Sequence, residues 1–248
     1  MKKELNCPIC GGSGYVLLAD GSAGACRCYK ERSLLAAKNA AGLPTALQQM
    51  TFGNFNLANY PGNAKPAAGS GKSYLELARE AFAKTKACCK QFCAGKRPQR
   101  GVLLQGNVGS GKTHLAAAAV NYLLERERRN LLFTGATDFF EELKSSFDAD
   151  EESKSKAWRL QQKVKKVPFL VIDDLGSHNF SDWARSVLFT ILNYRLNEMQ
   201  TTIITTNLNS EQLRENLGNR LMSRLVAQCQ PCLLLANNDL RLQRSDYR

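Results

Sequence analysis

The sequence predicts an α/β protein: a parallel sheet with helices on both faces, placed behind a small cysteine-held module. Three observations carry this. Beyond Arg100, short apolar runs (GVLLQ, NLLFT, PFLVIDD, TTIITTN, CLLLA) alternate with longer helical patterns, as strands joined by crossover helices do. The first of these runs opens directly into GxxxxGK[ST], and a long Ala/Leu helix pattern follows. Four of the nine cysteines fall in two close pairs within residues 7–28.

The cysteine module comes first. Two residues separate Cys7 from Cys10, one separates Cys26 from Cys28, and fifteen lie between the pairs. A hairpin that brings two such pairs together offers zinc a tetrahedral four-sulfur set, with Gly11, Gly12 and Gly14 freeing the backbone around the first pair. Four reduced cysteines in a small buried core are the alternative reading. A segment of this size buries too little apolar surface to fold alone, so structural zinc would organise it. A secreted disulfide framework is not expected, because MKKELNCPIC is followed by no apolar stretch of signal-peptide length. With no run of 18 apolar residues either, the expected setting is cytoplasmic, away from membranes. The formal charge of +12 favours polyanion partners without singling one out.

A polar helix is expected over 29–41, then a Gly/Pro/Asn-rich linker over 42–72 anchored by Phe52 and Phe55. This divides the chain into a module and helix (1–41), a linker (42–72) and an α/β domain (73–248). The linker ends in GSGKSY (69–74), an echo of the phosphate-loop motif. Pro66 stands where the opening glycine belongs, however, and PGNAK cannot form a central strand. Ser73 and Glu76 instead have capping-box spacing, which predicts a helix from there to about Ala94. Cys88, Cys89 and Cys93 fall on that helix; Cys229 and Cys232 form a CxxC, and both sets read as small buried hydrophobes in preference to a second metal or redox site.

Residues Gly106, Asn107, Val108, Gly109, Ser110, Gly111, Lys112 and Thr113 form the full motif between strand and helix. Its backbone N–H groups and helix N-terminus can cradle the phosphates of ATP or ADP. Lys112 can reach the β and γ oxygens, and the Thr113 hydroxyl can ligate Mg²⁺. His114 follows on the first helical turn, facing the loop or the sheet. PFLVIDD ends in Asp173, placed to hold Mg²⁺, and Asp174, placed to polarise the attacking water. Many ATPases carry glutamate at the second position, so the shorter aspartate implies slow hydrolysis or a water-bridged base. TTIITTN ends in Asn207, a candidate to orient that water, although strand-end polar residues are also common turn formers. NRLMSRL sets Arg220 and Arg224 one helical turn apart, either reaching a neighbouring subunit's γ-phosphate or simply solvated. His178, after DDLG, is near enough to matter, whereas Trp158 and Trp183 read as packing residues.

Taken together, GNVGSGKTHLA, DDLG, ITTN and NRLMSRL resemble the AAA+ ATPases of the DnaC/DnaI-type helicase-loader family and the related IstB transposition helpers, over about residues 100–230. The cysteine-rich start resembles the zinc-binding modules of DnaI-like and phage-borne loaders. The resemblance implies a sheet in the order 5-1-4-3-2, ATP with Mg²⁺, and assembly into a ring or spiral in which Arg224, with Arg220 beside it, completes a neighbour's site. It also implies a hexameric replicative helicase and single-stranded DNA as partners. Residues 137–166 resemble the extra helix by which this branch contacts single-stranded DNA. Lys154, Lys156, Arg159, Lys163, Lys165 and Lys166 would then track DNA, or else form a solvated face. The chain departs from a full AAA+ protein in having no room for a helical lid, which leaves Arg241 a weak candidate for sensing the nucleotide. Three functions follow: a helicase loader, a transposition helper acting on duplex DNA, or a nucleotide-gated adaptor with little turnover.

Overall fold

The computed structural model describes residues 7–67, 71–96, 100–128, 130–146, 150–176 and 180–242. Gly69 and Ser70 of the GSGKSY echo, and His178, lie outside them. The chain opens with an antiparallel hairpin, β1 (Tyr15–Leu17) and β2 (Ala23–Ala25), then helix α1 (Arg27–Ala40). Two short 3-10 turns, Thr45–Leu47 and Leu57–Asn59, lead to α2 (Tyr74–Cys93). The α/β part runs β3 (Gly101–Gln105), α3 (Lys112–Leu124), β4 (Leu131–Gly135), α4 (Ala136–Ser145), α5 (Glu151–Lys166), β5 (Phe169–Asp173), α6 (Asp182–Asn197), β6 (Thr201–Thr206), α7 (Ser210–Gln228) and β7 (Cys229–Leu233).

The five long strands form one parallel sheet in the order β4-β5-β6-β3-β7. Counted in chain order from the β7 edge this is 5-1-4-3-2, the order expected. The strands are apolar nearly throughout because both faces are covered. Val102, Leu104, Phe133, Val171 and Ile203 pack under α2 and α3, while Leu103, Leu132, Leu170, Ile172 and Ile204 pack under α4 to α7. The two expected helical stretches of 137–166 are α4 and α5.

The last strand begins three residues earlier than the apolar run CLLLA implies. Leu234 still continues the pairing, donating its N–H to Gln105 O. The strand itself starts at Cys229, fully buried with its Sγ 3.4 Å from Thr202 O, and contains Pro231 opposite Leu103. Pro231 is tolerated because β7 is an edge strand with neighbours on one side alone. Before it, α7 bends at Gly218, whose φ of 78° no ordinary side chain adopts comfortably.

The stretch expected as linker lies against the first face of the sheet. Leu43, Phe52, Phe55 and Tyr60 are buried, Ala41 O accepts the Phe133 N–H, and Asn121 Nδ2 of α3 donates to Leu47 O and Met50 O. Trp158, expected to pack, is 61% exposed, because it lines an open cleft of about 310 Å³ between α5, α4 and α6. Trp183 does pack, edge-on to Phe140. Arg195 is fully buried and held by neutral acceptors: Val164 O and Val167 O at the end of α5, Gln200 Oε1, Thr201 O and Thr202 Oγ1. Burial pulls its guanidinium down to about 9, and its donors gather the end of α5 to the start of β6.

The helix start after the echo is the capping box that the spacing predicts. Ser73 Oγ accepts the Glu76 N–H at 3.3 Å, and Glu76 Oε2 accepts the Ser73 N–H at 2.7 Å. Ser73→Ala is expected to cost about 1 kcal/mol of stability, read as a lowered denaturant midpoint with unchanged slope, and to leave nucleotide affinity nearly unchanged. A large loss of nucleotide binding in that variant would restore a second nucleotide site to GSGKSY.

Candidate functional site

The edge of the sheet where β3, β5 and β6 end brings the predicted residues together. From β3 the chain turns through Gly106–Gly111 into α3, with Gly109 at φ 71° and Gly111 at φ 92°. Glycine is needed here because neighbouring groups occupy the space of a side chain. A Cβ on Gly106 would meet Leu234 O at 1.8 Å, and one on Gly111 would meet the Tyr60 hydroxyl at 2.7 Å. Tyr60, stacked on Phe55, donates to Ser110 O at 2.8 Å from the N-terminal stretch. Val108 is exposed at the loop's crown.

Lys112 Nζ donates to Gly106 O (2.9 Å) and Asn107 O (2.7 Å), so the ammonium is held inside the loop on a flexible stem that can turn to phosphate oxygens. Thr113 Oγ1 lies 3.1 Å from both Asp173 oxygens. This hydroxyl-carboxylate pair at the mouth of the loop is the oxygen donor set that suits Mg²⁺ alongside phosphates. Burial raises the Asp173 carboxyl against the hydrogen bonds of Thr205 and Thr113, a cost that a divalent cation would offset. Asp174 leaves the strand with φ 57°, and Asn207 Nδ2 donates to its Oδ1 at 2.7 Å. The left-handed backbone at 174 suits aspartate better than a longer side chain.

Other predicted residues lie elsewhere. The His114 ring faces the N-terminal stretch, with Nε2 3.0 Å from Thr51 O and its edge against Phe55. Arg220 and Arg224 share one face of α7 as expected, their guanidinium carbons 4.3 and 6.0 Å from the Phe189 ring centre. Arg241 lies in a segment that crosses the loop: the Leu240 N–H donates to Gly109 O, and Asn107 exchanges two hydrogen bonds with Ala236. Sequence reading missed Tyr60, Thr205 and Asp239, the last of which fills the space beside Gly109. Thr205 alone had a signal, as part of TTN.

At the other end of the chain, the sulfurs of Cys7, Cys10, Cys26 and Cys28 all lie within 4.8 Å of one another, with Cys7–Cys26 at 3.8 Å and Cys10–Cys28 at 3.4 Å. Tetrahedral zinc at about 2.3 Å from each sulfur would set them roughly 3.8 Å apart, so the four fit that ion. Against the cost of burial, the Gly14 N–H and Cys28 draw Cys10 down to about 6. Burial and then Cys10 push Cys28 up to about 12. Cys229 and Cys232 are buried and both raised by burial, as small core residues are.

A family model for the IstB-like ATP binding protein matches residues 87–247. The chain belongs to that family. It is also similar to the replicative helicase loader DnaI of Bacillus subtilis, 30% identical over 118 residues, which is 47% of this chain and 36% of that protein. With the replicative helicase loader DnaC of Escherichia coli it shares 32% identity over 123 residues, 50% of this chain and 49% of the relative. It thus spans at most about half of these two curated relatives. The crystal structure of DnaI superposes with a TM-score of 0.55 at 25% identity, covering 79% of this chain and 93% of that one. The strand order, the phosphate loop and this likeness together give the AAA+ type of fold. Among the described residues no helix is long and apolar enough to cross a membrane.

Burial pushes Lys112 down to about 8 from the ordinary 10.5, outweighing Asp174 and Asp173, which raise it. Between those values the unfolded chain binds more protons than the folded one, so the ligand-free protein gains stability as pH rises from 8 towards 10.5. A polyphosphate reverses the shift. Nucleotide binding at about pH 8.5 should therefore take up a fraction of a proton per site, seen by calorimetry in buffers of different ionisation enthalpy. Heats independent of the buffer would contradict this.

Proposed function

We propose that this protein is an ATP-dependent helicase loader, which binds a hexameric replicative helicase and assists its loading onto single-stranded DNA. The observation that carries the reading is a complete ATP-binding edge joined, in one chain, to a four-cysteine module, in a protein similar to the loaders DnaI and DnaC.

In the proposed reaction, Lys112 turns from the loop carbonyls to the β and γ oxygens of ATP. Thr113 and Asp173 would hold Mg²⁺, whose charge would offset that of the phosphates. Asp174 accepts the proton of the attacking water, and Asn207 keeps that carboxylate aimed. Arg224, with Arg220, supplies positive charge to the γ-phosphate of a neighbouring copy in a ring or spiral; their placement together on one face of α7, over Phe189, supports this. Zinc on Cys7, Cys10, Cys26 and Cys28 would fix the module, whose exposed Ile9, Tyr15, Leu17 and Leu18 give an apolar surface for the helicase. The basic α5 and the exposed Trp158 support contact with single-stranded DNA through charge and base stacking. The proposed domain division is that of the sequence, with 42–72 joining the module to the ATPase and packed on it over 42–67.

A transposition helper acting on duplex DNA is the second reading, favoured by the family match itself. Preference for duplex over single-stranded DNA across a range of salt concentrations would select it. For the loader, the full chain should retain the replicative helicase in a pull-down, and Leu17→Glu or Cys10→Ser should abolish retention. Retention by both variants removes the module from the interface.

Turnover tests the ATPase. Lys112→Ala and Asp174→Asn should abolish hydrolysis, and Arg224→Ala should lower it by on the order of 10³-fold. Mixing Arg224→Ala with Lys112→Ala should recover part of it, because a Lys112→Ala copy still supplies the arginine that an Arg224→Ala neighbour's intact loop needs. Wild-type protein that binds ATP without hydrolysing it, with or without DNA, would make the chain a nucleotide-gated adaptor.

A further inference from the structure

The parallel pairing of β5 with β6 ends at Ile172 opposite Ile204, one residue short of the two acids. Beyond it, side chains of β6 join the backbone in holding the segment that carries the two acids. Thr205 Oγ1 donates to Asp173 Oδ1 at 2.6 Å and accepts the Asp174 N–H at 2.8 Å. Thr205 O accepts the Leu175 N–H, and Thr206 Oγ1 donates to Leu175 O at 2.6 Å. Both threonines are buried, Thr205 at 1% exposed.

The hydroxyl of Thr205 thus bridges the two carboxylate residues that the proposed chemistry uses in different ways. It fixes which Asp173 oxygen stays on the protein side, and it anchors the peptide on which Asp174 turns into its left-handed conformation. A hydroxyl has one proton to give and lone pairs to receive with, so it can serve both neighbours at once. Neither isosteric valine nor alanine can.

We propose that Thr205 is a positioning residue for the magnesium and water-activating carboxylates, acting through Asp173 and Asp174. Its hydroxyl is taken up by Asp173 Oδ1 and the Asp174 N–H, so its effect runs through them. This rests on the reading of the loop and the two acids as an ATP site. Residues around a metal's ligands typically change metal affinity or rate by about 10 to 100-fold when they lose their hydrogen bonds.

The test uses the full chain with Thr205→Ser, Thr205→Ala and Thr205→Val. The first two differ by the hydroxyl alone, so the comparison stands even where valine prevents folding. A fluorescent ATP analogue is titrated with each protein in EDTA and then with Mg²⁺, and kcat and KM are measured. Serine should stay within about threefold of wild type throughout, whereas alanine and valine should raise the Mg²⁺ needed for half-saturation about tenfold and lower kcat by a similar factor. Affinity in EDTA and KM for the nucleotide should hold, since the phosphate loop is untouched. Equal Mg²⁺ titrations for alanine and serine overturn the proposal, as does a loss of EDTA affinity in step with kcat, which would mark a packing defect at the loop. A wild-type protein that binds no nucleotide in either condition refutes the ATP-site reading itself, an outcome distinct from any difference among the Thr205 variants.

Discussion

Parallel pairing of β6 with both β3 and β5 is the constraint on which the rest of the site depends. Strands of a parallel sheet deliver all their C-terminal ends to one edge, so groups far apart in the chain arrive together without any loop having to reach. Gly106 follows β3, Asp173 ends β5 and Asn207 follows β6, and hydrogen bonds through Thr205 and Asp174 join Asp173 to Asn207, with Thr113 reaching Asp173 from α3. The apolar faces above and below supply the hydrophobic force that keeps this register.

The phosphate loop is gripped from outside the sheet as well. Tyr60 holds Ser110 from the N-terminal stretch, and Ala236 and Leu240 hold Asn107 and Gly109 from the C-terminal one. Tyr60 occupies the space that a side chain on Gly111 would need, and Leu234 and Asp239 of the C-terminal stretch do so at Gly106 and Gly109. The glycines of the motif thus serve the protein's own packing as much as a ligand. The N-terminal stretch also continues through Ala41 and α1 to the cysteine cluster, so the candidate metal module and the nucleotide loop are joined by ordered structure over residues 7–67.

Much of this was legible in advance because it depends on local patterns. Ser73 and Glu76 are three residues apart, and the capping box formed as spaced. The strand runs were found by apolar content, which works where both faces are buried, as for β3 and β5. It misplaced β7, whose sequence CQPCL has Gln230 and Pro231 in positions that an edge strand leaves open. Trp158 was misjudged for a related reason: a tryptophan is usually buried, but nothing in the sequence says on which side of α5 it falls relative to the sheet.

By itself the sequence determined the kind of site: a phosphate loop, an acid pair and a polar strand end, together with two thiol pairs spaced for a four-sulfur set. Those are properties of residue type and short spacing. Only the tertiary structure decided that Thr205 spans the two acids, that Tyr60 reaches Ser110 from fifty positions away, and that His114 turns from the loop towards Thr51. Such contacts are set by strand order and by which face each segment covers, and those follow from burying the whole apolar surface at once.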